Sequence, residues 1–155
     1  MKSQRMQSQI TISDAKEADL LWINQQYKTI GFKPSCLENE LIAVAKTSAV
    51  TVGVGRLQYI VDDIAELGGM YVDSAFRQQG IAEKLVAYLL ANSNIYKTIY
   101  CLPFAHLATF YQSFDFRPIA IGAMVPKQVS AKLEWCNDTY EQPVLLHALT
   151  NPCIT

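Results

Sequence analysis

Apolar residues recur at two different periods along this chain, and the switch between the periods marks out the fold. Residues 9–12 alternate polar and apolar and predict a first, half-buried strand. Asp14 then stands as a helix N-cap with Glu17 at the capping-box position, ahead of Leu20, Ile23, Tyr27 and Ile30. That 3-4-3 spacing is the stripe of a helix packed on one face, and Gly31 is placed to end it. A short second helix is expected around residues 34–40. β-rich runs at 41–46, 50–59 and 64–72 are separated by Thr47-Ser48 and by Val61-Asp62-Asp63, which suits an antiparallel meander. The helical period then returns. Ile81, Leu85, Val86, Leu89 and Leu90 form one stripe, residues 98–102 a short strand, and Leu107, Phe110, Tyr111 and Phe114 a second stripe. Strands at 116–125 and 144–149, with a helix at 126–135 between them, complete the pattern. A meander followed by β-α-β-α predicts the α/β class: a single-domain mixed sheet, part antiparallel and part parallel, flanked by helices.

Composition narrows what such a fold can do. The 155 residues, 50% hydrophobic and 17% charged, fit one domain with a core at about residues 8–150, and no linker or repeat interrupts them. Thirteen Lys and Arg against fourteen Asp and Glu give a net charge of −1, so no basic field argues for nucleic acid or an anionic membrane. The strongest apolar stretches, 85–91 and 119–125, fall far short of the roughly 20 residues that span a bilayer. Lys2 and Arg5 precede no apolar segment of the secretory kind, so a cytoplasmic location is expected. Cys36, Cys101, Cys136 and Cys153 are widely spaced and form no C-x-x-C pair, so they read as free thiols and no metal site is expected.

Chemistry concentrates in Met70-Tyr71-Val72-Asp73-Ser74-Ala75-Phe76-Arg77-Gln78-Gln79-Gly80-Ile81-Ala82, an apolar strand that passes through a polar turn into a helix. Such a turn aims successive backbone N–H groups and the positive end of the helix at one point, which makes an anion cradle. Gly80 lets a phosphate approach the main chain. No G-x-x-x-x-G-K-[ST] occurs, and Gln58 after Gly53-Val54-Gly55 breaks the dinucleotide fingerprint G-x-G-x-x-G.

Arg77-Gln78-Gln79-Gly80-Ile81-Ala82 meets the motif [RQ]-x-x-G-x-[GA] in its strand-turn-helix setting. Phe110-Tyr111-Gln112-Ser113-Phe114-Asp115-Phe116 is similar to a later F-Y-x-x-x-G-F. With these motifs in order over residues 10–150, the chain resembles the GCN5-related N-acetyltransferases (GNAT). The resemblance implies a sheet splayed between its fourth and fifth strands, with acetyl-CoA in the gap. It implies that Arg77, Gln78, Gln79, Gly80, Ile81 and Ala82 bind the CoA pyrophosphate. The backbone of Met70 and Val72 would pair with pantetheine, and an N–H near Met70 or Tyr71 would hold the thioester oxyanion. Asp115 stands in place of the usual Gly, and Phe104 and Leu107 where many members carry Asn and Ala, all on the side that the resemblance turns toward the pantetheine and the acceptor.

An amine is mostly protonated at neutral pH, so attack on a thioester needs a base. Glu66 is the candidate, four residues before Met70 and on the same face unless Gly68-Gly69 forms a bulge. The alternative is a cross-strand ion pair with Arg56, which itself is a candidate anchor for a substrate carboxylate. Tyr111 is the candidate general acid for the departing thiolate, against a plain core role in its stripe. A nucleophilic pair of Cys101 and His106 lacks an orienting third group. His147 reads as a structural residue of a terminal strand. The function expected is acetyl transfer from acetyl-CoA to a primary amine, of a small molecule such as an amino acid, polyamine or antibiotic, in a ternary complex. A protein amine as acceptor, and an acyl-CoA-binding module without turnover, are the alternatives. A homodimer is expected on family grounds only.

Overall fold

Alternating side chains in the meander build the centre of the sheet. The computed structural model describes residues 9–120 and 122–151. The seven strands are β1 (Thr11–Asp14), β2 (Glu40–Thr47), β3 (Val50–Val61), β4 (Ile64–Val72), β5 (Thr98–Cys101), β6 (Arg117–Pro118) and β7 (His147–Thr150). They hydrogen-bond in the order β1-β2-β3-β4-β5-β7-β6. β1 is antiparallel to β2, β4 parallel to β5 with Ile64 opposite Thr98 and Leu67 opposite Cys101, and β5 antiparallel to β7. Among the described residues, the α-helices α1 (Leu20–Ile30), α2 (Ile81–Ala91), α3 (Ala108–Gln112) and α4 (Lys127–Thr139) flank the sheet. The mixed α/β architecture is the one the periodicities predict.

Two compact units divide the long β3–β4 hairpin. The first holds the described residues up to 57 and residues 69–93. Its core is Ala15, Ile23, Tyr27, Ile42, Val44 and Val54, with Leu20, Trp22, Ile30, Phe32 and Tyr71 packed around it. The α1 stripe therefore points where its spacing predicts, and α1 ends at a left-handed Gly31. α2 lies close on the sheet because Gly53 and Gly55 carry no side chains. A Cβ at Gly53 would come 3.1 Å from Ile81 Cγ2, and one at Gly55 2.8 Å from Met70 Sδ and 3.2 Å from Leu89 Cδ1. The second unit holds residues 58–68 and those from 94 onward. Ile99, Cys101, Tyr111, Phe116, Val129, Cys136, Val144 and His147 are its buried residues around β5 and β7.

Several expected elements differ. Asp14 belongs to β1 and caps no helix; the turn ahead of α1 is closed by Asp19, whose carboxylate accepts from the Lys16 N–H at 2.8 Å and pairs with Lys46 at 3.0 Å. No helix forms at 34–40. That segment is held as a loop by Asn24, which donates to the Ser35 carbonyl (3.0 Å) and accepts from its N–H (2.7 Å). Of the strand expected at 116–125, the described residues form only β6, and Ile121 lies outside them; the helix expected at 126–135 runs on to Thr139. Cys153 and the N-terminal residues Lys2 and Arg5 lie outside the described residues. Among the described residues, no helix is long and apolar enough to cross a membrane, and no three metal-ligating side chains come together.

Candidate active site

β4 leads into the turn at residues 73–80 with a defined backbone parity. The Asp73 N–H donates to Val52 O at 2.8 Å, so Asp73 and Tyr71 turn their backbone groups toward β3 while Val72 and Met70 turn theirs away. The Val72 carbonyl, facing away, accepts from Arg77 Nε at 2.8 Å. The Arg77 guanidinium lies 5.9 Å from the Tyr71 ring centroid, so it braces the turn against β4. Asp73 opens the turn by accepting from the Ala75 N–H at 3.0 Å.

Past Arg77 the backbone becomes left-handed twice, at Gln78 (φ 63°) and Gly80 (φ 79°), before α2 begins at Ile81. Gly80 has no Cβ to oppose that conformation. No side chain caps the helix, and the Gly80 carbonyl accepts from the Lys84 N–H at 3.1 Å. The first N–H groups of a helix have no partner within it, so those of Ile81 and Ala82 stand at its positive end. A Cβ at Gly80 would meet only Glu83 Oε1, at 3.8 Å, which leaves open space in front of the turn. The sequence-predicted binding residues 77–82 are thus contiguous in one loop and helix start.

In the second unit Glu66 is 4% exposed, and its Oε2 lies 2.8 Å from Lys132 Nζ on α4. The alternative pairing of Glu66 with Arg56 gives way to this one. Arg56 is buried in the first unit, where its Nη1 donates to the Lys33 carbonyl at 3.1 Å and to Ser35 Oγ, and its guanidinium covers the Tyr27 ring at 4.5 Å. Gly69 (φ +64°) takes the conformation of a bulge glycine, so alternation does not carry from Glu66 to Met70. Lys132 was not found from the sequence, since 66 residues separate it from Glu66 and no local spacing links them.

Tyr111 is buried, with its ring edge-on to Phe110 at 5.0 Å and Phe116 at 6.2 Å. Burial pushes its phenol above the ordinary range, helped by Cys101. The Cys101 thiol is likewise raised, by burial first and then by the Glu66 charge, which makes it a poor nucleophile. His106 is exposed and stacks on Phe104 at 6.0 Å, so Cys101 and His106 form no dyad. His147 is buried, its ring beside Gln112 at 3.3 Å and its pKa lowered by desolvation. Asp115 adopts φ 74°, which accounts for glycine as the usual residue there; Asp is among the few side chains that tolerate it. Phe104 meets Tyr140 edge-on at 5.5 Å, and Leu107 is 43% exposed.

Comparison with known proteins bears on the family and the fold. A family model described as an acetyltransferase (GNAT) domain matches residues 38–118, slightly more than half of the chain. No match is found among curated proteins. Among solved structures, the chain is similar to Rv2747 from Mycobacterium tuberculosis, determined in complex with CoA. The TM-score is 0.74 at 20% identity, over 92% of this chain and 99% of that one. N-acetylglutamate synthase from Neisseria gonorrhoeae, complexed with coenzyme A and N-acetyl-glutamate, gives 0.70 at 15% identity, over 94% of this chain and 36% of that one. The ribosomal-protein-S18-alanine N-acetyltransferase from Escherichia coli gives 0.68 at 17% identity, over 95% and 97%. These likenesses establish the fold.

Proposed function

Because this chain belongs to the GNAT acetyltransferase family, whose enzymes use acetyl-CoA, we propose that it transfers acetyl from acetyl-CoA to the primary amine of a small molecule, by direct attack in a ternary complex. The observation that carries this reading is the uncapped start of α2 behind the two left-handed residues Gln78 and Gly80. It offers the N–H groups of residues 78–82 to a pyrophosphate.

Each step then falls to a residue of this chain. Met70 and Val72 present the edge of β4 that faces away from β3, where a pantetheine amide pairs as an added strand. Of the two candidate oxyanion donors, the Met70 N–H faces that edge and the Tyr71 N–H faces β3. Glu66 removes a proton from the acceptor's ammonium, the free amine attacks the thioester carbon, and the Met70 N–H holds the oxyanion that forms. Collapse breaks the C–S bond. Tyr111, raised well above the phenol value of about 10, is a far weaker acid than a thiol of about 8.5. It therefore steadies the leaving sulfur as a hydrogen-bond donor, while the second proton, shed by the nitrogen as the amide forms, passes through solvent to the departing thiolate.

Support for a small acceptor comes from the gonococcal enzyme, whose complex holds N-acetyl-glutamate. The E. coli enzyme, named for a ribosomal protein, favours the second reading, a protein amine. Acetyl-CoA turnover with amino acids and polyamines, set against peptides with free N-termini, tests the choice. Saturable turnover of the small amines alone supports the first reading, and turnover of the peptides alone replaces it with the second.

A further inference from the structure

We infer that Lys132 fills the acceptor-ammonium position at Glu66 in the free protein, so that the acceptor binds by displacing a cation the chain itself supplies. The inference rests on the reading of Glu66 as the group that deprotonates the acceptor, and adds what stands there beforehand.

Glu66 is a nearly buried carboxylate, with 5% of its side chain exposed, and such a charge is stable only when a cation answers it. The cation present is a primary alkylammonium, 2.8 Å from Oε2. That is the same chemical group as the proposed substrate. The two partners are unequal in freedom. Lys132 reaches from α4 on a flexible four-carbon stem and is 35% exposed, so its ammonium can withdraw into water and be solvated there. Glu66 is fixed in β4, in register with Tyr100 of β5, and has no such exit. Gly68 adds no bulk beside the carboxylate, since even a methyl there would stop 3.4 Å from Oε2. An arriving ammonium therefore exchanges one ion pair for an equivalent one, and binding the acceptor never leaves the carboxylate bare. Lys132 acts as a positioning residue that sets how tightly, and with what charge, an acceptor must bind.

The experiment titrates n-propylammonium chloride, with tetramethylammonium chloride as control, into the parent, Lys132→Met, Lys132→Gln and the double variant Lys132→Met/Glu66→Gln. Calorimetry and thermal shift give the readout. Gln keeps a hydrogen-bond donor for Glu66, so it serves where the Met variant unfolds. The expected result is propylammonium binding at least tenfold tighter in the single variants than in the parent. The double variant should lose it, and tetramethylammonium should show no effect. With acetyl-CoA present, the KM for a primary amine should fall by a similar factor, and Lys132→Arg should return it to the parent value. Equal binding in parent and single variants, binding that survives Glu66→Gln, or an unmoved KM would each overturn the inference. Failure of the underlying reading looks different: Glu66→Gln alone would then turn over at the parent rate.

Discussion

Tyr27 donates its hydroxyl hydrogen to the Gly69 carbonyl at 2.7 Å, tying α1 to β4 across 42 residues of sequence. The contact sits one residue before Met70, at the left-handed glycine that re-aims the strand. Arg56 closes the arrangement by lying over the same ring. Any side chain at Gly69 would adopt φ +64° and place its Cβ 2.5 Å from Tyr27 Oη and 2.8 Å from Arg56 Nε. Gly69→Ala should therefore destabilise the fold by about 2–4 kcal/mol, from backbone strain and the displaced hydrogen bond together. Tyr27→Phe, which removes the hydrogen bond alone, should lose about 1–2 kcal/mol. Denaturant midpoints of the two variants at one temperature check the order, and an Ala variant as stable as the parent would remove the structural role given to Gly69.

Gly80 faces open space, so a large side chain there is tolerated by the fold but would stand where the proposed function puts the pyrophosphate. Gly80→Trp should stay folded, at a strain of about 1 kcal/mol for the left-handed residue, and should no longer show a thermal shift with acetyl-CoA. An unaltered shift in the folded variant would mean that phosphate binds elsewhere.

Glu66→Gln separates proton removal from structure. If Glu66 deprotonates the acceptor, turnover falls by about 100- to 10,000-fold while acetyl-CoA affinity holds. A variant that loses stability yet keeps its rate would leave Glu66 as the ion-pair partner of Lys132 and nothing more.

Two buried phenols, like the buried Cys101 thiol, tie stability to alkaline pH. Desolvation is the largest cause that raises both Tyr27 and Tyr111 above the ordinary value of about 10. In the unfolded chain each ionises near that value, so above it the unfolded state binds fewer protons than the folded one. Stability contributed by these groups is complete below about pH 10 and is lost as pH rises beyond it. Each phenol should steepen the loss by up to about 1.4 kcal/mol per pH unit. Tyr111→Phe should make the unfolding free energy flatter between about pH 10 and 11.5, while the acetyl-transfer rate falls by a similar factor at every lower pH. A parent-like rate would assign Tyr111 to packing alone.

Where local pattern and tertiary contact agree, the elements lie where the sequence predicts them. β4 begins and ends as expected, α1 stops at Gly31, and the loop 77–82 stands between strand and helix because its glycine and polar residues admit left-handed backbone. The misses share a cause. Residues 34–40 have helix-compatible composition, yet Asn24 takes both backbone groups of Ser35, and Arg56 takes the Lys33 carbonyl just before the segment together with Ser35 Oγ, which holds a loop. The apolar run after Phe116 looks like a strand, but among the described residues β7 pairs with Arg117 and Pro118, and Ile119 adds a single bond to the Leu146 carbonyl ahead of β7. Ion-pair choice was equally out of reach. Arg56 stood near Glu66 on a drawn hairpin, while the true partner of Glu66 comes from α4, and no periodicity encodes a contact between segments so far apart.

Acetyl transfer to an amine is measured most directly by following free thiol released from acetyl-CoA while mass spectrometry follows the acceptor. The account predicts release that depends on a primary amine, saturates with it, and matches N-acetyl product one for one. Acetyl-CoA that binds with a clear thermal shift but gives no amine-dependent thiol across amino acids, polyamines and peptides would contradict it, and would make the protein an acyl-CoA-binding module.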